Sequence, residues 1–107
     1  MVVLNDLIKR RASTAIEFVG RSIRVRAAYV FGSQADSTAT DRSDIDVAAF
    51  IESSSKLGLL ERVRLGVETR AQAGDDIEIH LLPIESLTDP PAASFAAYII
   101  RHGVRIL

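Results

Sequence analysis

The sequence contains no cysteine and no tryptophan, and only 6% of its 107 residues are aromatic. A chain without cysteine forms no disulfides and offers no thiolate to a metal ion. Extracellular disulfide scaffolds and thiolate metal centres are therefore excluded. The composition agrees with a protein that works in a reducing cytoplasm.

Long hydrophobic runs are also missing. No uninterrupted apolar stretch approaches the roughly 20 residues that a membrane-spanning helix needs. Near the N-terminus, polar residues break up the apolar segment that a signal peptide requires. These residues are Asn5, Asp6, Lys9, Arg10 and Arg11. We expect a soluble cytoplasmic protein with no membrane partner.

The composition is otherwise that of an ordinary globular domain, with 48% hydrophobic and 25% charged residues and a net charge of −1. A chain of this length has room for one hydrophobic core and not for two. We therefore predict a single domain over residues 1–107.

Hydrophobic periodicity predicts an α/β (α+β) fold, a small mixed sheet with helices packed against it. Segments rich in β-branched and aromatic residues read as strands, and segments with apolar residues every three or four positions read as helices. Strands are predicted over 25–31, 44–51 and 76–82, with a short one over 104–107, and residues 33–43 are predicted to form a polar loop with room for one helical turn. Helices are predicted over 4–22, capped by Asn5 or Asp6, and over 92–102. A further helix between the second and third strands is capped by serines 53–55, ends at Gly74 and has a buried stripe of Leu60, Val63, Val67 and Ala71.

Two aspartates lie one residue apart on the second predicted strand. Because strand side chains alternate, Asp44 and Asp46 project from the same face. Neighbouring carboxylates repel each other, and a divalent cation relieves that repulsion. Mg²⁺ suits such a pair, because it prefers oxygen ligands and is often held by one or two carboxylates and substrate phosphates. Glu78 on the next strand supplies a third acid, with Asp76 on the same face as the alternative.

A glycine–serine pair follows the first predicted strand. Gly32 lets backbone amides approach a ligand closely, and Ser33 adds a hydroxyl donor. A strand that ends in exposed N–H groups and opens into a helical turn can bind phosphate. The turn and the acids together indicate a site for a metal ion and a polyphosphate.

Simpler interpretations exist for each feature alone. Asp44 and Asp46 also fit an exposed strand end, and Gly32 also fits an ordinary turn. Their spacing along the chain favours a shared site. His80 lies on the face of Glu78 and could ligate metal, but a lone histidine on a strand is more often a structural or surface residue, and we interpret it so.

Residues 31–35 (Phe-Gly-Ser-Gln-Ala) and 43–47 (Ser-Asp-Ile-Asp-Val) together resemble the signature of nucleotidyltransferases of the DNA polymerase β superfamily. The length and the order of elements resemble its minimal nucleotidyltransferase branch. The resemblance covers residues 25–82, and more loosely residues 101–104. It implies the nucleotidyltransferase fold and a two-metal transfer of a nucleoside monophosphate to a hydroxyl, with release of pyrophosphate.

The resemblance also implies a role for each site residue. The backbone of Gly32 and the hydroxyl of Ser33 would contact the triphosphate of ATP. Asp44 and Asp46 would ligate two Mg²⁺ ions. Glu78 would ligate the catalytic ion and help to deprotonate the acceptor. Two metal ions so placed stabilise both the attacking and the leaving oxygen.

The chain departs from the family pattern at two positions. Ser37 stands where the family usually has a second glycine, and Glu78 stands where the third acid is commonly aspartate. A longer acidic side chain can reach a metal ion but changes the geometry that Mg²⁺ demands.

Minimal nucleotidyltransferases of the resembled family often pair, as antitoxins, with a helical HEPN-domain ribonuclease, and some adenylylate a tyrosine hydroxyl of that partner. The resemblance therefore implies an antitoxin-type adenylyltransferase. The alternative is a catalytically weak or inactive domain of the same fold that neutralises the HEPN ribonuclease by binding it. Aminoglycoside modification is less favoured, because such enzymes usually carry an added acceptor domain. Polymerisation and direct nucleic-acid binding are not expected, since nothing supplies a primer-binding surface. The oligomeric state is left open.

Overall fold

A computed structural model describes residues 4–36, 43–52 and 57–107. The helices and strands are, in chain order, α1 (Asp6–Val19), β1 (Val25–Phe31), α2 (Ser33–Asp36), β2 (Ile45–Ile51), α3 (Leu59–Ala73), β3 (Ile77–Pro83), a 3₁₀ turn (Ile84–Leu87), α4 (Phe95–His102) and β4 (Val104–Arg105). Within the described residues, no helix has both the length and the apolar character that a membrane crossing needs.

The four strands form one mixed sheet in the order β3-β2-β1-β4. β1 runs antiparallel to β2 and to β4, whereas β2 and β3 are parallel. The register pairs Asp46 with Phe31 on one side and with Glu78 on the other. The predicted fold class, a small mixed sheet with helices packed against it, is confirmed.

Both faces of the sheet are covered. α1 and α3 pack with Val30 and Val47 on one face, and α4 packs with Tyr29 and Phe50 on the other. Apolar side chains point both ways because both faces exclude water, and the central strands therefore read as continuous apolar runs. Asp46 lies between Ile45 and Val47, whose side chains point to the face covered by α1 and α3. Because strand side chains alternate, the Asp46 side chain projects to the α4 side.

Helix α1 begins where the sequence indicates. The side chain of Asn5 accepts a hydrogen bond from the Leu7 N–H at 2.8 Å, as an N-cap does. Helix α3 ends at Gly74, whose φ of 126° is a conformation that favours glycine. The predicted capping serines 53–55 lie outside the described residues. The N-cap residue of α3 is Gly58, which has no side chain to cap the helix.

The predicted buried face of α3 is wrong. Leu60, Val63 and Val67 are more than half exposed, and Ala71 is exposed as well. The buried residues of α3 are Leu65 and Thr69. The Thr69 hydroxyl donates to the Leu65 carbonyl at 2.7 Å, which removes the penalty of burying it. We call the exposed side chains of Leu59, Leu60, Val63 and Val67 the α3 apolar stripe.

Asp76 also departs from the prediction. β3 begins at Ile77, and Asp76 turns towards α1 instead of sharing the face of Glu78. Its carboxylate accepts two hydrogen bonds from the Arg11 guanidinium, one of them at 3.0 Å. Arg11 also donates to the Ala73 carbonyl at the end of α3. Asp76 is therefore occupied by a bond that fastens α1 to the α3–β3 connection.

The Arg11–Asp76 pair should make stability depend on pH in acid. Hydrogen bonding from Arg11 lowers the pKa of Asp76 below its ordinary 3.8. The ionised carboxylate therefore stabilises the fold above that pH, and the contribution is lost as pH falls through the lower pKa of the folded state. Because both side chains are partly exposed, we expect Asp76→Asn to lower the free energy of unfolding at pH 7 by about 0.5–1 kcal/mol.

Urea unfolding at pH 7 and at pH 2.5 measures this effect. The difference between wild type and Asp76→Asn should shrink at the lower pH. The exposed neighbour Asp75 provides the matched control, since Asp75→Asn removes a carboxylate without an Arg11 contact. Equal destabilisation by the two substitutions would show that the ion pair contributes nothing specific.

Candidate metal and nucleotide site

The turn after β1 lies directly against the first acidic residue of the site. Gly32 has a φ of 76°, and α2 starts at Ser33 immediately after it. A Cβ added to Gly32 would lie 2.7 Å from Oδ2 of Asp46. The close approach and the positive φ both require glycine here. The structure thus brings the predicted phosphate turn and Asp46 together.

Asp46 occupies the middle of this end of the sheet. It is half-buried, with Phe31 as its partner on β1 and Glu78 as its partner on the parallel strand β3. The parallel register places the two acidic side chains on adjacent strands and on the same face. Glu78 is exposed, so the site is open to solvent on that side.

His80 completes a group of three possible metal ligands. One ligand atom each from Asp46, Glu78 and His80 lies within 4.8 Å of the other two. The His80 Nε2 atom is 3.3 Å from Oδ1 of Asp46 and 3.9 Å from Oε1 of Glu78. Among the described residues, no other group of three or more possible ligand side chains lies this close together. We call it the Asp–Glu–His cluster.

Two aromatic side chains contact the imidazole of His80. Its ring centroid is 5.0 Å from that of Phe31 and 5.8 Å from that of Phe95, both in edge-to-face arrangements. Phe31 ends β1 and Phe95 starts α4, so two elements restrict the ring. Such contacts limit the rotation of the ring.

Asp44 takes a different position from its predicted partner Asp46. β2 begins at Ile45, one residue later than predicted, and Asp44 is exposed just before it. Asp44 is outside the Asp–Glu–His cluster. Ser37, which stands where the family usually has a second glycine, lies outside the described residues.

Sequence reasoning therefore missed His80 as a member of the cluster. The alternation of β3 already placed His80 on the face of Glu78, which was the available signal. What the sequence lacked was the parallel register with β2, which pairs His80 with Ala48 and brings it beside Asp46. Because alanine is small, the imidazole can lean over that position towards the carboxylate.

The donor set of the Asp–Glu–His cluster fits a divalent cation. Two carboxylates supply hard oxygen ligands, and the imidazole supplies a nitrogen ligand. A cation would remove the repulsion between Asp46 and Glu78. The exposed side of Glu78 leaves room for further ligands such as water or phosphate oxygens. The arrangement can therefore hold a metal ion beside the Gly32–Ser33 turn.

Comparisons with known proteins identify the family and the fold. Residues 14–107 match the sequence model of the family described as "Polymerase beta, Nucleotidyltransferase". No curated protein shows significant sequence similarity over the chain.

The solved structures with a similar fold include the following three. A toxin–antitoxin structure with AMP-PNP gives a TM-score of 0.62 and 21% identity, over 90% of this chain and 72% of the other. The toxin–antitoxin MntA–HepT gives 0.56 and 19%, over 92% and 71%. A tri-AMPylated Shewanella oneidensis HEPN toxin in complex with MNT antitoxin gives 0.57 and 18%, over 94% and 71%. At these identities the likeness establishes the fold.

Proposed function

Because the chain belongs to the polymerase β nucleotidyltransferase family, we propose that it is a Mg²⁺-dependent adenylyltransferase that transfers AMP from ATP to a hydroxyl of a partner protein. The observation that carries the proposal is the contact between Gly32 and Asp46. A phosphate-binding turn that touches a metal-ligating carboxylate can hold a nucleoside triphosphate through its phosphates and through the metal together.

Each residue has a role in this proposal. The Gly32 and Ser33 amides and the Ser33 hydroxyl bind the triphosphate. Asp46 and Glu78 would hold the catalytic metal, and the exposed Asp44 would hold a second metal. Divalent ions at this site would neutralise charge on the phosphates as the bond to the leaving group breaks.

In the proposed transfer step, the acceptor hydroxyl oxygen attacks the α-phosphorus, and the bond from that phosphorus to the bridging oxygen of the β-phosphate breaks. Pyrophosphate leaves with that oxygen. The hydroxyl proton passes to the Glu78 carboxylate, which is exposed and therefore accessible to an incoming acceptor. AMP remains on the acceptor as a phosphodiester.

We further propose that the acceptor is a helical HEPN-type partner and that the protein acts with it in the cytoplasm, as a single domain, in a toxin–antitoxin pair. Two similar structures contain toxin–antitoxin pairs, and in a third the HEPN toxin is tri-AMPylated. The α3 apolar stripe supports a protein partner, because four large apolar side chains on one helix are exposed, Leu59 by 80%.

The position of the α3 apolar stripe links such a partner to the candidate site. Val63 and Val67 line a groove of about 240 Å³ between α3 and β3, together with Arg70 and Ile79. Glu78 lines the same groove. An apolar helix of the partner that docks here would bring its hydroxyl groups close to the proposed proton acceptor.

Substitution within the α3 apolar stripe should weaken the complex without unfolding the protein. Val67 is 63% exposed, so Val67→Glu should change the free energy of unfolding by no more than about 0.5 kcal/mol. Burial of a charge in an apolar interface should raise the Kd for the HEPN partner by at least about tenfold. Calorimetric titration with the HEPN partner measures this Kd.

Leu7→Glu is the matched control, because Leu7 is 58% exposed on α1 and is not part of the stripe. An equal loss of affinity in both variants would contradict the assignment. Sedimentation of the protein alone gives a second check. If Val67→Glu dissociates a homodimer and leaves the affinity for the partner unchanged, the stripe binds a second copy instead.

Labelled ATP tests the transfer itself. Incubation with Mg²⁺, the HEPN partner and ATP carrying ³²P at the α-phosphate should label the partner, whereas label at the γ-phosphate should not be retained. Retention of γ-label would indicate phosphorylation. A tight complex without transfer from either nucleotide would support the second candidate function, neutralisation by binding alone. The glutamate at position 78 and the exposed position of Asp44 favour that second candidate.

A further inference from the structure

We infer that His80 is a metal ligand and that the Asp–Glu–His cluster binds a first-row transition cation, such as Mn²⁺ or Co²⁺, more tightly than Mg²⁺. The inference rests on the proposed function only in taking this cluster as the metal site. Metal binding itself requires neither nucleotide nor turnover. His80 lies outside the set of carboxylates that the family resemblance assigns to metal binding.

The distances within the cluster match those around a metal ion. Two ligands that each lie about 2.0–2.1 Å from a cation are about 3.0 Å apart at an octahedral angle and about 3.3 Å apart at a tetrahedral angle. His80 Nε2 and Oδ1 of Asp46 are already 3.3 Å apart. Oε1 of Glu78 is 3.9 Å from the same nitrogen, and its exposed side chain can close that difference by rotation.

The chemistry of the donor set determines which cation is preferred. Mg²⁺ takes oxygen ligands and retains its waters, so an imidazole adds little to its binding. Imidazole is a good ligand for transition metals, and affinity rises along the series from Mn²⁺ through Co²⁺ to Ni²⁺. A site with two carboxylates and one imidazole therefore favours these ions over Mg²⁺.

The surroundings of His80 prepare it for this role. Phe31 and Phe95 both contact the imidazole edge-to-face, which limits its rotation. Rotation is the main freedom that a ligating imidazole loses on binding, so a restricted ring loses less. The competing interpretation is that His80 only donates a hydrogen bond to Asp46 and so positions that carboxylate.

His80→Gln separates the two interpretations. A glutamine amide can still donate a hydrogen bond to Asp46, but it is a poor ligand for transition metals. Co²⁺ titration followed by visible absorption gives the Kd for Co²⁺, and calorimetry gives the Kd for Mg²⁺. We expect His80→Gln to raise the Kd for Co²⁺ about tenfold or more and to leave the Kd for Mg²⁺ within about twofold. His102→Gln on α4 is the control and should change neither.

Two results would overturn the inference: an unchanged Kd for Co²⁺ in His80→Gln, or equal losses for Co²⁺ and Mg²⁺. Thermal unfolding of the variant shows whether the fold is retained, and His80→Asn repeats the test with a shorter amide. The outcome is independent of catalysis. Selective loss of Co²⁺ binding in a protein that transfers no nucleotide would support the inference and reject the proposed function. Normal AMP transfer by the wild type, together with unchanged Co²⁺ binding in His80→Gln, would support the proposed function and reject the inference.

Discussion

Asp46→Asn is expected to lower the rate of AMP transfer by at least about a thousandfold, because loss of the central metal ligand removes several kcal/mol of charge stabilisation. Asp46 lies at the centre of the site. Its Oδ2 lies against Gly32, its Oδ1 faces His80, and its strand partner is Glu78. Asparagine has nearly the same shape but no charge, so the fold should persist. Transfer of ³²P from the α-phosphate of ATP to the partner measures the effect.

Stability measurements distinguish a lost metal ligand from a damaged fold. Without metal, Asp46→Asn should be at least as stable as wild type, because one member of a repelling carboxylate pair is gone. Mg²⁺ or Mn²⁺ should raise the Tm of wild type by mass action and should leave the Tm of the variant unchanged.

Glu52→Gln is the control for this substitution. Glu52 follows the other end of β2, where its carboxylate pairs with Arg26 at 2.9 Å. Its loss should cost about 1 kcal/mol or less of stability and leave transfer intact. A variant Asp46→Asn that still transfers AMP at the wild-type rate would contradict the assigned role of Asp46.

Gly32→Ala should produce the second large effect. A φ of 76° costs an alanine about 1–2 kcal/mol. The new Cβ would also lie 2.7 Å from the Asp46 carboxylate and would displace it. We expect a fall in Tm of about 4–8 °C for each kcal/mol lost from the free energy of unfolding, together with weaker binding of Mn²⁺-ATP. Differential scanning calorimetry and a binding titration measure the two effects.

Gly66→Ala offers a matched glycine in the same protein. Gly66 lies inside α3, and a Cβ added there meets no atom within 4 Å. Alanine is the better helix former, so this variant should gain up to about 1 kcal/mol and should bind nucleotide normally. If Gly32→Ala behaved in the same way, the tight contact between the turn and Asp46 would have no functional meaning.

Local signals in the sequence were sufficient to predict most of the helices and strands and their order along the chain. Strand β1 was predicted with its observed ends, 25–31, since apolar residues stop at Gly32. Asn5 and Gly74 mark helix ends through their own backbone and side-chain chemistry. These signals are local, and they do not depend on which elements pack together.

The orientation of α3 could not be predicted in this way. Its apolar residues recur at helical spacing on more than one face, and periodicity gives the spacing without saying which face the core covers. Thr69 is polar, yet it is buried because its hydroxyl bonds to the Leu65 carbonyl. The valines at 63 and 67 are apolar, yet they are exposed. If this face binds a partner, the apolar residues serve an interface instead of the core.

The makeup of the site was predictable only in part. Alternation placed Glu78 and His80 on one face of β3, and the glycine–serine turn was evident. Alternation also assigned Asp76 to that face, but Arg11 draws Asp76 to α1 across 65 positions of sequence. Contacts of that kind depend on tertiary packing, which a local pattern does not contain.

Amide resonances in the presence of Mn²⁺ and AMP-PNP test the central claim most directly. Paramagnetic Mn²⁺ broadens signals from nearby nuclei, so the affected residues locate the bound ion. We predict broadening centred on Gly32, Ser33, Asp46 and Glu78. The extent of the broadening should depend on the nucleotide, and excess Mg²⁺ should reverse it. Broadening confined to other acidic surfaces, such as Glu61 and Glu68 on α3, or no broadening at all, would contradict a metal–nucleotide site at this end of the sheet.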